Sequence, residues 1–403
     1  MGRYNNLIIG QSGGATAVIN ASLSGAVEAV LDDRRVGQIY GMWHGVQGLL
    51  QEDLVDLRQQ PAHIWRELLH MPSAALGSCR YKLQEDDLER IFAIFRRYEI
   101  HTLLYIGGND SADTVHRIAQ AARHLNYDLQ AICIPKTIDN DLPLTDHCPG
   151  YGSAARFIAL ATLDSTMNTL SMPWHYPIKV IETMGRDAGW LTAAAALGKR
   201  TEDDAPHILL PPERPFQTER YLARVEEIYR RCGYVVIVAA ETLRDEQGRA
   251  LGAAGQVGVD AFQHPLLSGA AQYLVELVKE HLKLRARFDK PGDLQRMASF
   301  CVSPVDREEA YLVGQAGTQA ALAGETDCMV TLRRLDEPAY RCTTGLAALS
   351  EVANVQRLLP ANFLDESGTM ITPAFVDYAL PLIGEPLPAY PRLKRTEELR
   401  RKV

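Results

Sequence analysis

The residues best suited to chemistry in this sequence lie in the segment IPKTIDND at 134–141. Lys136 precedes Asp139 by three residues, and Asp141 follows two residues later. In an extended segment the two aspartates fall on one side. One carboxylate can then accept a proton from a hydroxyl group while the other supports a metal ion. The lysine supplies positive charge for a transferring phosphoryl group. The alternative interpretation is an Asx-turn in a surface loop.

Two glycine pairs precede predicted helices, in SGGAT at 12–16 and in GGNDS at 107–111. Glycine lets backbone N–H groups approach a phosphate, and a helix N-terminus favours negative charge. For one pair alone a tight turn is the better interpretation. Two pairs that follow strands favour phosphate binding. No GxxxxGK[ST] loop occurs in the chain, so a Walker A site is excluded.

The second glycine loop also carries Asn109 and Asp110. The carboxylate of Asp110 would repel a phosphate on the loop amides, so this loop either holds a metal ion or excludes a chemical group. Asn109 offers a neutral oxygen suited to Mg²⁺. Both side chains could instead cap the following helix, which would not exclude a role as ligands.

Two arginine segments complete the candidate site. MGRDAGW at 184–190 places Gly185 and Arg186 after a predicted strand, and arginine makes bidentate contacts with phosphate. The alternative is a surface ion pair between Arg186 and Asp187. DLQR at 293–296 adds a second arginine, which alone is a weak signal.

The segment GYGSAA at 150–155 fits the loose dinucleotide fingerprint G-x-G-x-x-A. It follows Pro149 and not a strand, so the context that this motif requires is missing. A nicotinamide dehydrogenase is therefore disfavoured.

Buried strands alternate with helical segments along the first 240 residues. The predicted strands are 6–10, 102–106, 129–134, 178–183 and 234–240. The predicted helices begin near Ala15, span 86–98, and span 111–124 with Ser111 as the cap. Such alternation predicts a layered α/β fold with parallel pairing. Ligands of these folds lie beyond the carboxyl ends of the strands. Each predicted strand ends in glycine or charge, the last at Glu241, so these ends should meet at one rim.

The length, net charge, hydrophobic pattern and cysteine content of the chain exclude several classes of protein. A chain of 403 residues predicts two or three domains, and a net charge of −8 argues against general nucleic-acid binding. No apolar run is long enough to cross a bilayer, and the start MGRYNNLIIGQ has no secretory pattern. Seven scattered cysteines suggest reduced thiols in a cytoplasm.

Taken in order over roughly residues 5–300, these motifs resemble the phosphofructokinase family. The resemblance rests on SGG, GGNDS, TIDND, MGRDAG, Glu241 and LQR. It implies two layered α/β domains with mainly parallel sheets and an active site in the cleft between them. The implied donor domain spans 1–150 with part of about 295–350 returning, the sugar-phosphate domain spans 151–294, and an extension spans about 350–403. The proline-rich stretch from about 380 is predicted to form an extended arm.

Two positions indicate the subtype. Members that use ATP carry glycine where this chain has Asp110 and Lys136, whereas members that use pyrophosphate carry aspartate and lysine, as here. Asp110 would stand where the α-phosphate of ATP must lie. Two unit charges 4 Å apart repel by about 4 kcal/mol at an effective dielectric constant of about 20. The resemblance therefore implies a Mg²⁺-dependent glycolytic transferase that moves phosphate reversibly from pyrophosphate to the 1-hydroxyl of fructose 6-phosphate.

The resemblance also implies a role for each site residue. Asp139 takes the hydroxyl proton, Lys136 and Asp110 act at the donor, and Asn109 binds the metal. The pyrophosphate-binding residues are Gly13, Arg80 and Lys136. The sugar-phosphate residues are Thr137, Ile138, Asp139, Met184, Gly185, Arg186, Glu241, Asp293, Leu294, Gln295 and Arg296. Arg287 would reach the 6-phosphate bound by a neighbouring subunit of a homodimer or homotetramer.

The sequence departs from the family at two of these positions. Asn109 replaces the usual metal-binding aspartate, and Asp293 stands where histidine or tyrosine is usual. The second change puts the preferred sugar in doubt, with sedoheptulose 7-phosphate as another acceptor. The alternatives are an ATP-dependent phosphofructokinase and a non-catalytic regulatory subunit of the same fold.

Overall fold

A computed structural model of the chain describes residues 5–252 and 269–393. Their strands form two sheets built mainly from parallel pairs, which confirms the predicted α/β class. The strands are β1 (Asn5–Gln11), β2 (Val36–Met42), β3 (Leu54–Asp56), β4 (Ile100–Gly107), β5 (Gln130–Pro135), β6 (Ile178–Thr183), β7 (Ile208–Leu210), β8 (Val235–Ala240), β9 (Ala286–Asp289), β10 (Cys328–Arg334) and β11 (Cys342–Ala348).

The larger sheet has seven strands in the order β11-β10-β5-β4-β1-β2-β3. Only its two edge pairs, β2 with β3 and β10 with β11, are antiparallel. The smaller sheet has four parallel strands in the order β7-β8-β6-β9. The larger sheet combines strands from 5–135 with strands from 328–348, so the chain returns to it after building the smaller one. The predicted domain boundaries are compatible with this path and stay a proposal.

The central strands are largely apolar because both of their faces are buried. On β4, Leu103 and Tyr105 pack in one hydrophobic cluster, whereas Leu104 and Ile106 pack in a second cluster. The strands of the smaller sheet are covered on both faces in the same way. Continuous apolar runs in the sequence therefore identified five of the buried strands, β1, β4, β5, β6 and β8, whereas the buried strand β10 was not predicted.

The described helices cover these faces or close their ends. They are α1 (Ile19–Glu28), α2 (Gly45–Leu49), α3 (Ile64–Leu68), α4 (Glu85–Arg97), α5 (Asn109–His124), α6 (Tyr151–Ser171), α7 (Trp190–Ala194), α8 (Thr218–Cys232), α9 (Ala270–Leu277), α10 (Leu294–Met297), α11 (Pro304–Leu322), α12 (Leu349–Val352) and α13 (Pro373–Ala379). None of the helices within the described ranges is both long and apolar enough to cross a membrane.

Two predicted helix starts are wrong. The first helix begins at Ile19 and not near Ala15, because the preceding loop turns through Gly13 with a φ of +75°. Ser111 lies inside α5, whose N-cap is Gly108. Both helices are therefore preceded by glycine-containing backbone.

The segment GYGSAA forms the start of α6, and a carboxylate of the protein occupies its N-terminus. Asp306 accepts hydrogen bonds from the N–H groups of Gly150, at 2.7 Å, and of Ser153, at 2.9 Å. These amides would have to bind the pyrophosphate of a dinucleotide. The structure thus supports the rejection of this segment as a dinucleotide site.

The stretch from about 380 packs against its own chain at first, so its prediction as an arm is wrong for those residues. Leu382 and Ile383 are buried in a cluster with Tyr151 of α6. The carbonyl of Leu382 also accepts a hydrogen bond from Ser303, at 2.7 Å. These contacts attach the C-terminal region to the helix that follows the IPKTIDND segment.

The tight packing of α1 on α11 predicts a steric effect at Gly314. An added Cβ at this position would lie 2.1 Å from the carbonyl oxygen of Ser22. We expect Gly314→Ala to lower the free energy of unfolding by about 1–3 kcal/mol, because backbone must move to admit the methyl group. Urea denaturation followed by circular dichroism measures this change. The control Gln319→Ala, on an exposed position of the same helix, should change stability by less than about 0.5 kcal/mol. Equal stability of both variants would contradict the packing argument.

Candidate active site

A cavity of about 730 Å³ lies where the carboxyl ends of the two sheets face each other. The prediction that all these strand ends meet at one rim is wrong, because the ends belong to two separate sheets. Thirteen predicted site residues line this cavity. They are Gly13, Arg80, Asn109, Asp110, Lys136, Thr137, Ile138, Asp139, Met184, Arg186, Glu241, Asp293 and Arg296. Their number and diverse origin make this cavity the candidate active site.

Lys136 follows β5 directly and is buried. Its Nζ donates a hydrogen bond to the carbonyl oxygen of Gly14, at 2.7 Å. A Cβ added to Gly13 would lie 3.2 Å from the same nitrogen. Burial lowers the pKa of Lys136 to about 8, although the nearby carboxylate of Asp139 opposes the shift. The ammonium thus lies against the first glycine loop, where an anion would meet both.

The aspartate loop is not extended, contrary to the geometry first considered for it. Asn140 adopts a φ of +55°, in the left-handed region. Its side chain accepts a hydrogen bond from the N–H of Cys148, at 2.9 Å, and donates one to the hydroxyl of Tyr378, at 2.9 Å. Asp139 and Asp141, on either side of it, both line the cavity. The turn at Asn140 therefore serves the placement of two carboxylates.

Asp139 lies at the electrostatic centre of the cavity. Burial raises its pKa above the ordinary aspartate value, and nearby cations oppose that rise. These cations are Arg186, Lys136, Arg296 and Arg80. A carboxylate in this setting is a candidate proton acceptor whose affinity for a proton exceeds that of an exposed aspartate.

Asp141 shares this environment. Burial and the neighbouring charge of Asp139 raise its pKa to about 6. Gln356 donates a weak hydrogen bond to its Oδ2, at 3.3 Å. A proton on Asp141 at mildly acidic pH would reduce the negative charge of the cavity.

The second glycine loop presents Asp110 to the cavity from the first turn of α5. Asn109 beside it is tied to the C-terminal region. Its Oδ1 accepts a hydrogen bond from the N–H of Asn354, at 2.6 Å, and its amide nitrogen donates to the carbonyl of Val355. One lone pair of Oδ1 is left for another donor or a cation. Its role as a metal ligand stays a prediction.

The opposite side of the cavity is formed by the segment after β6 and by Glu241 after β8. Gly185 has a φ of +131° and Arg186 one of +51°, so the backbone turns sharply here. The N–H of Arg186 donates to Oε1 of Glu241, at 3.3 Å. Burial and, to a lesser extent, the charge of Asp139 raise the pKa of Glu241 to about 7. Gly185 shapes this turn and does not itself line the cavity.

The LQR segment contributes through only some of its residues. Arg296 forms an ion pair with Asp293, at 3.0 Å, and a Cβ added to Gly14 would lie 2.9 Å from its Nη1. Gln295 is buried and accepts a hydrogen bond from the N–H of Met184, at 3.0 Å. Leu294 is 56% exposed and lies outside the cavity. Arg296 thus balances the charge of Asp293, so a carboxylate at this position is less unfavourable for a bound sugar phosphate than the sequence suggested.

Arg287 is not part of this group of residues. It is exposed on β9 and lines a separate open depression with Lys179 and Asp289. Its guanidinium carbon lies 3.2 Å from the ring centroid of Tyr176. Its predicted contact with a substrate of another subunit stays a prediction.

Several cavity residues were missed by the sequence analysis. Thr242 and Arg244 follow Glu241 after β8, so the rule of polar strand ends could have found them. Asn354 and Gln356 also line the cavity, but they come from an irregular segment after α12. No local pattern marks that segment as part of a site.

The acidic side chains of the cavity fit a magnesium ion that is held jointly with phosphate. Within the described ranges, no group of three or more His, Cys, Asp or Glu side chains is arranged as a complete metal site. Mg²⁺ in phosphoryl-transfer sites is commonly held by one or two carboxylates together with substrate phosphates. Asp110, Asp139 and Asp141 all line the cavity and offer such carboxylates.

The cavity thus combines a buried lysine, partly buried arginines, glycine loops and several carboxylates, which are the features of a phosphoryl-transfer site. The profile of the phosphofructokinase family matches residues 6–321. The chain belongs to the phosphofructokinase family.

The chain is also similar to individual members over nearly its whole length. It is 40% identical over 394 residues to the pyrophosphate–fructose 6-phosphate 1-phosphotransferase of Halomonas elongata. That alignment covers 96% of this chain and 94% of that protein. Crystal structures of pyrophosphate-dependent phosphofructokinases from Nitrosospira multiformis and Marinobacter aquaeolei match with TM-scores of 0.87 and 0.86. Their sequence identities are 38% and 37%, and each alignment covers 97% of this chain and 94% of the other.

The buried ammonium of Lys136 predicts anion binding that weakens at alkaline pH. A lysine is charged below its pKa, so binding should be strong at pH 7 and decline as the pH rises through about 8. We expect the dissociation constant of sulfate, whose own charge is constant here, to rise about tenfold between pH 7 and pH 9. Isothermal titration calorimetry measures it. Lys136→Met should bind weakly at both pH values. A pH-independent affinity in the unchanged protein would contradict the assignment.

Proposed function

We propose that this protein transfers a phosphoryl group from inorganic diphosphate to the 1-hydroxyl of fructose 6-phosphate, giving fructose 1,6-bisphosphate and inorganic phosphate. The observation that carries this proposal is the presence of Asp110, Lys136 and Asp139 in one cavity. The near full-length similarity to enzymes of that name supports it. Because the donor diphosphate and the product fructose 1,6-bisphosphate have similar phosphoryl-transfer potentials, the reaction should run in either direction.

In the proposed reaction the oxygen of the sugar 1-hydroxyl attacks the nearer phosphorus of diphosphate. The bond from that phosphorus to the bridging oxygen breaks, and inorganic phosphate leaves with the bridging oxygen and its electron pair. Asp139 accepts the hydroxyl proton as the new oxygen–phosphorus bond forms. The pKa of this partly buried carboxyl group is raised by desolvation, which favours that role. Asp139 then passes this proton to the departing phosphate. Its carboxylate is thereby restored for another cycle.

The donor would lie between the first glycine loop and Lys136. The ammonium is 2.7 Å from the carbonyl oxygen of Gly14, so an anion above the loop meets both the charge and the backbone. Arg80 lines the same cavity and adds positive charge. Asp141 and the predicted ligand Asn109 would hold Mg²⁺ together with the donor phosphates. When bound, that ion neutralises the negative charge that develops on the transferred group.

Asp110 would also select the donor. Its carboxylate lines the donor side of the cavity, where the α-phosphate of a nucleotide would add negative charge. Repulsion of about 4 kcal/mol, estimated for two charges 4 Å apart, corresponds to roughly a thousandfold discrimination. Diphosphate ends before that point, so the same carboxylate does not exclude it.

The acceptor would lie on the side of the cavity formed by the smaller sheet. Arg186 and Arg296 offer two guanidinium groups for the sugar phosphate. Glu241 can accept hydrogen bonds from sugar hydroxyl groups. The predicted contact of Arg287 requires a second subunit, and we propose a homodimer or homotetramer in which this exposed arginine completes a neighbouring site.

Replacing the proton acceptor should abolish most of the activity. We expect Asp139→Asn to lower kcat by a factor of about 10²–10⁴, because the amide keeps the shape but cannot take the proton. The KM for fructose 6-phosphate should change little. A coupled assay with diphosphate measures both constants.

Asp327→Asn is the matched control for this substitution. Asp327 is buried and pairs with His116 and Arg123 away from the cavity, so its replacement should leave kcat near the original value. A kcat for Asp139→Asn within threefold of the unchanged enzyme would contradict the assigned role.

The donor is tested by assaying the purified chain with diphosphate and with ATP. We expect turnover with diphosphate and little with ATP. Asp110→Gly should raise kcat/KM for ATP at least tenfold, because both charge and volume are removed. Asp110→Asn keeps the volume and separates the two effects. Robust turnover of the unchanged enzyme with ATP and none with diphosphate would overturn the proposed donor.

A further inference from the structure

Residues 354–357, which we call the clasp segment, join the two loops that carry the cavity aspartates. On the donor side, the N–H of Asn354 donates to Oδ1 of Asn109, at 2.6 Å. Its side-chain amide donates to Asp113 of α5, at 2.8 Å. The carbonyl of Val355 accepts a hydrogen bond from the Asn109 amide. The start of α5, and with it the loop that carries Asp110, is therefore anchored to the clasp segment.

On the other side, Arg357 donates hydrogen bonds to several backbone carbonyl groups of the aspartate loop. Its Nε and Nη2 donate to the carbonyl oxygen of Asn140, at 3.2 and 2.8 Å. Its Nη1 donates to the carbonyls of Thr145, at 2.6 Å, and of Asp146, at 2.7 Å. The backbone N–H of Arg357 donates to the carbonyl of Asp141, at 2.7 Å. One residue thus satisfies four backbone carbonyls of a single loop.

The orientation of Arg357 is fixed by Trp190. The guanidinium carbon lies 4.6 Å from the centroid of the buried indole ring, within the range of a cation–π contact. The indole Nε1 donates back to the carbonyl oxygen of Arg357, at 3.2 Å. Trp190 begins the helix that follows the MGRDAG segment, so the clasp also contacts the part of the chain that presents Arg186.

We propose that Arg357 is a positioning residue for phosphoryl transfer, acting through the aspartate loop on Asp139; this inference rests on the proposed function. Asn140, next to Asp139, has a left-handed backbone that costs free energy in a residue with a side chain. Its carbonyl therefore needs a fixed partner if the turn is to persist. The two guanidinium bonds to that carbonyl provide it.

Lysine could not replace this arginine fully. A guanidinium donates along a planar fork and here reaches three carbonyls at once, whereas an ammonium has three donors on a single nitrogen. Arg357 also lies beyond residue 321, where the match to the family profile ends. The clasp segment therefore lies outside the residues that match the family profile.

The experiment compares Arg357→Met and Arg357→Lys with Arg58→Met. Arg58 is an apt control because its guanidinium also donates to several carbonyls, including those of Leu31, Val36 and Gly37. These carbonyls precede or begin β2, which runs parallel to β1, so they lie at the amino ends of the strands, away from the cavity. Loss of Arg58 therefore removes similar hydrogen bonds without touching the site.

We expect Arg357→Met to lower kcat about a hundredfold while the KM for fructose 6-phosphate stays within about threefold, because a small displacement of a reacting group has a large kinetic effect. Arg357→Lys should lie between this variant and the unchanged enzyme. Arg58→Met should lower the Tm by a similar amount and keep kcat within twofold. An unchanged kcat in Arg357→Met, or an equal loss in Arg58→Met, would overturn the proposal.

Hydrogen exchange of residues 139–148 gives a readout that does not depend on the donor. In the absence of substrates, Arg357→Met should exchange at least tenfold faster in this peptide, and Arg58→Met should match the unchanged protein. If Arg357→Met does not fold, Arg357→Lys carries the comparison. An enzyme active only with ATP would refute the proposed donor, while unaltered exchange in this peptide would refute the positioning role.

Discussion

The site depends on one partly buried carboxylate whose charge is balanced by cations from several parts of the chain. Asp139 has a pKa raised by burial and opposed by four positive side chains. Lys136 follows a strand of the larger sheet, Arg186 follows a strand of the smaller one, Arg80 precedes α4, and Arg296 lies on α10. Neither sheet alone supplies this balance. The facing of the two carboxyl edges therefore places enough positive charge around Asp139 to offset the free-energy cost of its partial burial in the charged form.

This charge balance depends on the position of Asp139, so the loop around it must keep one conformation. A proton acceptor that shifts by an ångström loses most of its effect on the rate. The backbone at Asn140 is left-handed, and its side chain and carbonyl are all bonded to other parts of the chain. Arg357 and Tyr378, which supply two of those bonds, belong to the C-terminal region. A region outside the matched family profile thus stabilises the geometry at the centre of the cavity.

Much of the site could be predicted because polar residues after buried strands are visible in a single sequence. Lys136, Asp139, Arg186 and Glu241 each lie just after a buried strand, and each lines the cavity. The same reasoning failed for Leu294, which was taken from a four-residue motif and is exposed. A motif indicates which segment approaches the site, but the helical twist of α10 decides which of its side chains point inward.

By itself, the sequence determined the parallel α/β class and the strand ends that carry chemistry, because strands buried on both faces must be apolar and the polar residues that follow them are conspicuous. Only the tertiary structure decided that these ends belong to two facing sheets, that Asp306 occupies the start of α6, and that Asn354, Gln356 and Arg357 contact the aspartate loops. Arg357 and Asn140 are 217 positions apart. Contacts across such distances follow from the path of the chain, and neither periodicity nor local composition records that path.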